Sequence, residues 1–388
     1  MTPYHCLGDY IREVNVRNRD LKVTKPMGIN IDKHFMPSVA NVIGTDLSNY
    51  KMVHKKQFAC NLMHVGRDEK IPMAMMTEDE TIIVSPAYFV FEIIKTDMLL
   101  PEYLMMWFSR PEFDRNAWFY TDADVRGGMD KKAFMDMRLP VPTLSRQREL
   151  VAEYETLTRR IRLNEQMIAK LEETAQALYR KMFVEGIDKE KLPEGWRMGK
   201  FGEVCGINTD NISSKDKFKE IDYLDSSSVT NNKFDAYQHL IIGKDEIPSR
   251  AKRKVKTNDI VYSTVRPNLK HYGIIKGNVG NVVVSTAFAV IRSNTPEISN
   301  ELLYMILTDD SFTEILQGIA EMSKATYPSI TPENIMELKV ALPKRMDNVF
   351  SELNQQVKQI FENIAIRHKE NSNLTELQSL LLAKMGDL

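Results

Sequence analysis

Residues 171–182 read LEETAQALYRKM, and residues 374–385 read LTELQSLLLAKM. The two stretches share a leucine at the first position, a glutamate at the third and Lys-Met at the end, at a constant spacing of 203 residues, as from Leu171 to Leu374. Both combine strong helix formers with apolar residues at helical spacing, and neither contains proline or glycine. The sequence therefore predicts two related helices, one in the middle of the chain and one at its C-terminal end.

Other short segments repeat in the same order, with an offset near 200 residues. Residues 84–90, VSPAYFV, correspond to residues 284–290, VSTAFAV, and residues 135–142, MDMRLPVP, correspond to residues 336–343, MELKVALP. Duplication of one ancestral unit explains this order. Chance similarity between two generic α/β stretches is the alternative. We predict a globular unit at residues 1–143, a spacer helix at 144–187, a second globular unit at 188–343 and a C-terminal spacer helix at 344–388.

Each predicted helix carries a narrow stripe, or seam, whose positions recur in alternating steps of four and three residues. In the first helix the seam comprises Leu150, Tyr154, Leu157, Ile161, Asn164, Ile168, Leu171, Ala175, Leu178 and Met182. In the second helix it comprises Leu353, Val357, Ile360, Ile364, Arg367, Asn371, Leu374, Gln378, Leu381 and Met385. A seam with this 3.5-residue period suits one partner helix better than a broad core.

The obvious partner of each seam is its own copy. Antiparallel pairing of the two helices would place the globular units at opposite ends of a coiled coil and relate them by a pseudo-two-fold axis. Asn164 and Arg367 occupy the same place in the two seams, and such polar positions fix register in coiled coils. The alternative is that each helix packs only on its own globular unit.

Each globular unit combines short strands with helices. Runs of β-branched or aromatic residues predict strands at residues 81–84, 88–91, 259–263 and 282–290. Leu- and Met-rich periodicity predicts one helix at about residues 102–113 and another at about residues 300–316. The predicted fold class is therefore α+β, with two similar mixed α/β units separated by two long helices that form an antiparallel coiled coil.

The composition is that of an ordinary globular protein, with 43% hydrophobic and 27% charged residues. Lys and Arg number 52 against 53 Asp and Glu, which argues against a polycation that coats nucleic acid but allows a locally basic face. The three cysteines are far apart, no signal segment is evident at the start, and no apolar stretch is long enough to cross a bilayer. We therefore expect a cytoplasmic protein without disulfides or membrane contact.

Basic clusters occupy comparable places in the two units. Residues 250–256, RAKRKVK, place five cations before a predicted strand, further cations follow that strand, and the first unit has a similar arrangement. Such clusters can neutralise phosphates and position a protein on DNA. The candidate DNA contacts from these clusters are Lys55, Lys56, Arg67, Arg250, Lys252, Arg253, Lys254, Arg266 and Lys270. A solvated charged surface is the alternative.

A polar loop precedes the last strand of each unit. Residues 121–132 contain Arg126 followed by two glycines, and residues 321–329 contain Lys324 and Tyr327. Such residues suit close approach of the backbone and contact with base edges or phosphates. We therefore add Arg126, Lys324 and Tyr327 to the candidate DNA contacts, with ordinary surface loops as the alternative.

The sequence lacks the motifs of DNA-modifying enzymes. It has no Asn/Asp-Pro-Pro-Tyr/Phe motif to hold a flipped adenine, no P-loop, no acidic pair followed by Glu-x-Lys, and no G-x-S-x-G nucleophile elbow. We expect no catalytic residue, no cofactor and no metal in this chain. Two alternatives stay open: a self-contained DNA-modifying enzyme with unrecognised motifs, and a scaffold that pairs proteins through its helices.

Taken together, the repeat, the paired helices and a restart motif resemble the specificity subunits of type I restriction–modification systems. The restart motif is LPEGW at residues 192–196, followed by FGE at residues 201–203, and SRAKR at residues 249–253 belongs to the same pattern. The resemblance covers essentially the whole chain. The first unit departs from it, because its start at residues 4–9, YHCLGD, lacks the Pro-Glu-Gly-Trp form.

The resemblance implies that each globular unit is a target recognition domain that reads one half of a bipartite site in double-stranded DNA. The two helices would then set the gap between the half-sites. It further implies two methyltransferase (M) subunits as partners, which carry S-adenosylmethionine and methylate adenine, and restriction/motor (R) subunits for cleavage. This chain would supply only the choice of sequence, without catalysis.

Overall fold

A computed structural model describes residues 3–38, 44–63, 65–121, 127–185, 187, 191–213, 215–277, 279–323, 327–344 and 348–387. The chain divides into two compact units. Unit 1 comprises Met1–Leu163 with Glu370–Leu388, and unit 2 comprises Asn164–Lys369. Because the division crosses both long helices, each unit contains a segment of each helix. The four-part division predicted from the sequence stays a prediction.

The first half of the chain alternates short strands with helices and ends in a long helix. Its elements are β1 (Tyr4–Cys6), β2 (Ile11–Glu13), β3 (Pro26–Ile29), β4 (Phe35–Pro37), β5 (Lys51–Val53), β6 (Phe58–Cys60), α1 (Val65–Asp68), β7 (Met73–Met75), β8 (Ile82–Val84), β9 (Phe89–Ile93), α2 (Pro101–Phe108), α3 (Pro111–Phe119), α4 (Lys131–Asp136), β10 (Arg138–Pro140) and α5 (Leu144–Phe183).

The second half follows the same plan. Its elements are β11 (Trp196–Lys200), β12 (Cys205–Ile207), β13 (Glu220–Leu224), β14 (Val229–Thr230), β15 (Lys233–Phe234), β16 (Gln238–Ile241), β17 (Ala251–Lys254), β18 (Ile260–Ser263), β19 (Tyr272–Ile274), β20 (Val282–Ser285), β21 (Phe288–Ser293), α6 (Asn300–Leu307), α7 (Asp310–Glu321), α8 (Pro332–Met336), β22 (Lys339–Pro343) and α9 (Asn348–Lys384).

The strand order is the same in the two units. Unit 1 has sheets of order β4-β3-β8-β5 and β2-β9-β6-β7 with the ladder β1-β10. Unit 2 has sheets of order β16-β13-β20-β17 and β12-β21-β18-β19 with the ladder β11-β22, and it adds the hairpin β14-β15. In each unit the central pair of the first sheet is parallel. Matching topology in the repeated segments supports the duplication, and the predicted fold class is confirmed.

Both helices predicted inside the globular units are broken into two. In unit 1 the break falls at Arg110, whose backbone is extended because it precedes Pro111, the first residue of α3. In unit 2 the Asp309 side chain accepts a hydrogen bond from the Ser311 amide and starts α7 as a new helix. The prediction of single helices was wrong because apolar residues continue at helical spacing through both breaks. Similarly, the predicted strand at 282–290 is two strands, β20 and β21.

The main core of unit 1 lies between the sheet β2-β9-β6-β7 and the helices of that unit. Phe58 and Phe91 stack at 5.0 Å between ring centroids, and Phe108 packs edge-on against both rings. The same cluster includes Leu150 from the start of α5 and Met385, the residue directly after α9. Unit 1 therefore completes its core with one end of each long helix.

The main core of unit 2 is built in the same way. Tyr262 and Tyr272 stack at 5.5 Å on the sheet β12-β21-β18-β19, and Tyr272 meets Tyr304 of α6 edge-on. Tyr179 from the end of α5 and Phe361 from the first half of α9 join this cluster. Burial of such aromatic side chains removes large apolar areas from water and is the main stabilising contribution here.

Within unit 1 the two long helices run antiparallel. Gln378 Nε2 donates a hydrogen bond of 2.7 Å to Thr158 Oγ1, and Arg160 Nε donates one of 2.7 Å to Glu370 Oε1. Residue numbers thus rise along α5 as they fall along α9. The helices pack on each other as well as on the unit core, so the alternative in which each packs only on its own unit does not hold. In the described part of the chain, no helix is long and apolar enough to span a membrane.

Candidate DNA-binding surface

In unit 2, backbone hydrogen bonds join the segment after β18 to the loop before α8. We call this junction the unit 2 clamp (Thr264–Arg266 with Pro328–Ile330). Arg266 N donates to Pro328 O at 2.9 Å, and Ile330 N donates to Thr264 O at 2.8 Å. The clamp places the Arg266 guanidinium over the Tyr327 ring, 5.0 Å from its centroid. Both side chains are exposed. Two candidates from distant parts of the sequence therefore form one surface.

Strained backbone accompanies this surface. Arg266 and Lys270 have left-handed conformations, with φ of 49° and 54°, which cost a non-glycine residue of order 1–3 kcal/mol. The Lys270 amide donates to Pro267 O at 3.0 Å, and the Asn268 amide donates to Gln317 Oε1 at 3.2 Å, so the turn is held from both sides. Strained residues held in this way are concentrated at functional sites.

Unit 1 has the corresponding junction, the unit 1 clamp (Leu62, Met63, Val65 and Gly66 with Gly127–Met129). Met129 N donates to Leu62 O at 2.8 Å, and Gly66 N donates to Gly127 O at 2.7 Å. A Cβ atom added at Gly66 would lie 2.7 Å from the Cα atom of Gly127. Glycine is therefore required at this crossing, which explains one of the two glycines that follow Arg126.

Three candidates cannot be placed on these clamps. Arg126 and Lys324 lie outside the described residues, and so does the side chain of Arg67, whose backbone belongs to α1. Their proposed contacts with DNA stay predictions.

Strand β17 and Arg250, which precedes it, are rich in basic residues, but not all of these side chains are accessible to a ligand. Lys252 and Arg250 are exposed. Arg253 is half-buried, its Nη2 donates to Thr286 O at 3.4 Å, and burial lowers the pKa of its guanidinium. Lys254 forms ion pairs with two carboxylates. The strand thus offers two accessible charges at one end.

The Lys254 ammonium lies 2.9 Å from Asp216 Oδ1 and 3.1 Å from Asp210 Oδ1. Hydrogen bonds to these carboxylates, Asp216 first, raise the pKa of Lys254. A hydrogen bond from the Ser213 amide, followed by that from Lys254, lowers the pKa of Asp216 to about 2. The charge of Lys254 is therefore neutralised within unit 2. Its two ion pairs connect β17 to the segment 210–216.

The other candidate lysines also have acidic neighbours. Lys55 lies 2.8 Å from Asp79, and Lys270 lies 2.9 Å from Asp310. Lys56 is 4.0 Å from Glu102. These side chains are exposed, and surface ion pairs of this kind contribute little free energy, so a DNA phosphate can replace the carboxylate. Their assignment as DNA contacts stays a prediction.

A polar cavity next to Arg250 was not predicted from the sequence. It has a volume of about 430 Å³ and is lined by Tyr223, Asp225, Ser227, Ser228, Gln238, Pro248, Ser249 and Arg250. The Tyr223 hydroxyl donates to Asp225 Oδ2 at 2.9 Å. The lining comes from three separate segments that the sheet order β16-β13-β20-β17 brings together, and no local signal in the sequence links them.

The structure places the predicted seam residues on the packed faces of α5 and α9. In unit 1, Leu150 and Tyr154 share a cluster with Leu381. In unit 2, Leu178 shares a cluster with Leu353, Val357 and Ile360. The remaining seam positions of the prediction are buried or half-buried: Leu157, Ile161, Asn164, Ile168, Leu171, Ala175, Met182, Ile364, Arg367, Asn371, Leu374, Gln378 and Met385. Their individual partners across the seam stay predictions.

Among the residues that the structure describes, no group of three or more His, Cys, Asp or Glu side chains is arranged to hold a metal ion. The three cysteines are free thiols. For Cys60, burial raises the pKa of the thiol well above its usual value, and for Cys205 burial raises it to about 12. Neither thiol is poised as a nucleophile, because a thiolate is the reactive form.

Residues 193–376 match the family described as "Type I restriction modification DNA specificity domain". The Type I restriction enzyme HindI specificity subunit of Haemophilus influenzae is 31% identical over 185 residues, which cover 44% of this chain and 39% of that protein. The MjaVIII specificity subunit of Methanocaldococcus jannaschii is 20% identical over 268 residues, which cover 66% of this chain and 62% of that protein. The chain thus matches less than two thirds of the length of either curated relative.

A solved structure shares the fold. The crystal structure of a type I restriction–modification system S subunit from M. genitalium superposes with a TM-score of 0.59 at 10% identity, over 99% of this chain and 96% of that chain. At this identity the likeness concerns the fold alone. The family match covers unit 2 without its α5 segment and extends through most of α9, and the basic strand and the unit 2 clamp lie within it. By these comparisons, residues 193–376 match a type I restriction modification DNA specificity domain, and the chain is similar to the specificity subunits of type I restriction enzymes.

Proposed function

We propose that the chain selects the DNA sequence for a type I restriction–modification complex, and that each unit reads one half of a bipartite site. The observation that carries this proposal is the clamp, which recurs on the same strand framework in both units. In unit 2 it presents Arg266 beside Tyr327 on an exposed surface. Arginine forms bidentate hydrogen bonds with guanine or binds phosphate, and both contacts are common in sequence readers.

Two other accessible cations, Arg250 and Lys252 at one end of β17, suit contacts with phosphates. Phosphate contacts fix the position of a protein on the duplex without reading its sequence. The near-zero net charge of the chain also fits this division of labour, since a few placed cations avoid general attraction to any DNA. Base contacts at the clamps and phosphate contacts beside them would together define a half-site.

We propose that the paired helices set the gap between the half-sites. Helix α5 has 40 residues, which corresponds to about 60 Å at 1.5 Å per residue. Side chains of α5 and α9 are linked in unit 1 by Thr158 with Gln378 and by Arg160 with Glu370. Such links resist sliding of one helix along the other, so the pair can act as a ruler.

In this proposal the chain has no catalytic role and binds no cofactor or metal. Two methyltransferase subunits would carry S-adenosylmethionine and methylate an adenine flipped out of the duplex, and restriction/motor subunits would join them for cleavage. The absence of methyltransferase, P-loop and nuclease motifs from the sequence supports this division. We also propose a cytoplasmic location, which the three free thiols support.

The decisive experiment is to express the chain with its methyltransferase subunits and map methylated adenines across the genome. We expect one motif with two defined halves and a fixed gap. Methylation without a motif, or a motif that persists when the chain is omitted, contradicts the proposal.

Two other functions are separated by simple assays. A self-contained enzyme would turn over when the pure chain is incubated with DNA, S-adenosylmethionine and Mg²⁺, and we expect no turnover. A helical scaffold would leave DNA mobility unchanged in a gel shift with or without methyltransferase subunits, whereas we expect a shift when these subunits are present.

A further inference from the structure

Three consecutive aromatic side chains are exposed at the C-terminal end of α3 in unit 1, and we call them the aromatic triad (Trp118, Phe119 and Tyr120). Their exposed fractions are 47%, 80% and 50%. Large aromatic residues usually lie in cores, and a contiguous exposed group marks an interaction site. The preceding turns of α3 bury Phe113 and Ala117, so the helix itself is well packed.

Hydrogen bonds connect the aromatic triad to the unit 1 clamp. The Thr121 amide donates to Trp118 O at 3.1 Å, and Thr121 forms an antiparallel bridge with Met129. Met129 in turn donates to Leu62 O at 2.8 Å. The side chain of Met63, within the same clamp, is 40% exposed. The triad is therefore connected to the clamp through Thr121 and Met129.

Unit 2 presents different chemistry at the corresponding place. Helix α7 is followed directly by Met322, whose side chain is 85% exposed, and the unit 2 clamp holds Arg266 over the ring of Tyr327. A shared framework with different exposed side chains is what two readers of different half-sites require.

We infer that the aromatic triad of unit 1 contacts DNA bases, by stacking on them or by wedging between base pairs of the half-site that unit 1 reads. This inference rests on the proposed function. Aromatic rings stack on the face of any base, and apolar wedges at base steps kink the duplex. The hydrogen-bonded continuity of the triad with the clamp favours DNA as the occupant over a partner protein.

The test uses the complex assembled with methyltransferase subunits and duplexes designed from the methylation map. One duplex carries both half-sites, and two others each have one half-site scrambled. We expect Phe119→Ala to weaken binding to the intact duplex by roughly 5- to 150-fold, the effect of losing a base–aromatic stack. The variant should bind like wild type to the duplex that lacks the unit 1 half-site. Ile94→Ala is the matched control, because Ile94 is also an exposed apolar residue of unit 1 (48%), and it should leave binding unchanged.

A spectroscopic readout separates DNA contact from a role in assembly. Trp118 is exposed whereas Trp107 is buried, so we expect cognate DNA to quench Trp118 emission and Trp118→Phe to abolish that quenching. Unchanged binding by Phe119→Ala, or loss of methyltransferase assembly by size-exclusion chromatography before DNA is added, overturns the inference. A wild-type complex without any sequence preference overturns the proposed function and this inference together, whereas wild-type preference with an unaffected Phe119→Ala variant overturns the inference alone.

Discussion

The Arg266 guanidinium lies over the ring of Tyr327, at 5.0 Å from the ring centroid. The two residues belong to loops that flank different elements, and the backbone hydrogen bonds of the unit 2 clamp bring them together. An arginine stacked on a ring is already oriented before DNA arrives. Less side-chain entropy is therefore lost on binding than for a freely rotating arginine.

The first prediction concerns this pair. Arg266→Ala should weaken specific binding by about 1–3 kcal/mol and relax the sequence preference at one position, if Arg266 contacts a base. Arg266→Lys keeps the charge but loses the planar fork, so it should keep the salt dependence of binding while losing discrimination. Competition binding with single-base variants of the unit 2 half-site measures both effects. A uniform loss across all sequences would assign Arg266 to phosphate instead.

The second prediction separates two lysines of β17. Lys252→Ala should reduce DNA affinity and lower the slope of log affinity against log salt by about 1, because Lys252 is exposed and free to meet a phosphate. Lys254→Ala should leave that slope unchanged and instead lower the melting temperature, because Lys254 bridges Asp210 and Asp216. DNA binding measured at several salt concentrations gives the salt slope of each variant, and thermal unfolding gives its melting temperature. A reduced slope for Lys254→Ala is the result that would refute this assignment.

The third prediction is a pH dependence at Asp216. Its pKa falls from 3.8 to about 2 in the folded chain, so its carboxylate stabilises the folded state above pH about 4, and this contribution disappears as the pH falls to about 2. The difference in melting temperature between wild type and Asp216→Asn should be constant near neutral pH and shrink towards zero over this window. Asp235→Asn serves as a control, because Asp235 is an exposed aspartate of the same unit. A difference that does not shrink between pH 4 and pH 2 would contradict the prediction.

The fourth prediction tests the helical ruler. Insertion of one heptad into both α5 and α9, at paired positions, keeps the seam in register and adds about 10 Å of helix. The gap in the methylated motif should then grow by about 3 base pairs, at about 3.4 Å each. Genomic mapping of methylated adenines reads the gap directly. Insertion of four residues into α5 alone shifts the seam and should abolish methylation, and an unaltered gap after the paired insertion would remove the ruler from the proposal.

The fifth prediction concerns the core of unit 1. Leu150 is 1% and Leu382 7% exposed in one cluster, so each Leu→Ala change should cost about 2–5 kcal/mol of folding free energy. Because both side chains belong to that cluster, the double variant should lose less than the sum of the single variants. Chemical denaturation measures these values. Leu163→Ala, at a position that is 47% exposed, should cost far less, and equal losses at Leu163 and Leu150 would argue against the described packing.

The long helices and the duplication could be predicted from the sequence, for a physical reason. A helix with one partner must repeat its apolar positions every 3.5 residues, and this period is visible without the structure. The breaks at Arg110 and at Asp309 were missed because a proline at the first turn and a capping aspartate interrupt the backbone while the apolar pattern continues.

The candidate site was only partly predictable. Charge and polarity singled out Arg266 and Tyr327 but not their contact, because that contact depends on hydrogen bonds between backbone segments far apart in sequence. Likewise, the sequence shows Lys254 in a basic run, whereas Asp210 and Asp216 reach it only through the fold. The aromatic triad lies beyond the helix predicted at about residues 102–113 and was not singled out, since exposure cannot be read from residue type.

The first unit draws part of its core from the C-terminal end of the chain, where Leu382 of α9 and Met385 just after it are buried in one cluster with residues of β6, β9 and α2. During translation, these side chains leave the ribosome only after the whole of unit 2 has been synthesised. Until then, the apolar core surface of the first unit that Leu382 and Met385 cover stays exposed to solvent. This differs from chains whose domains fold one after another as they emerge. In a prematurely terminated product this apolar surface would stay exposed. Chaperones and proteases, which recognise exposed apolar surface, can therefore distinguish it from the full-length protein.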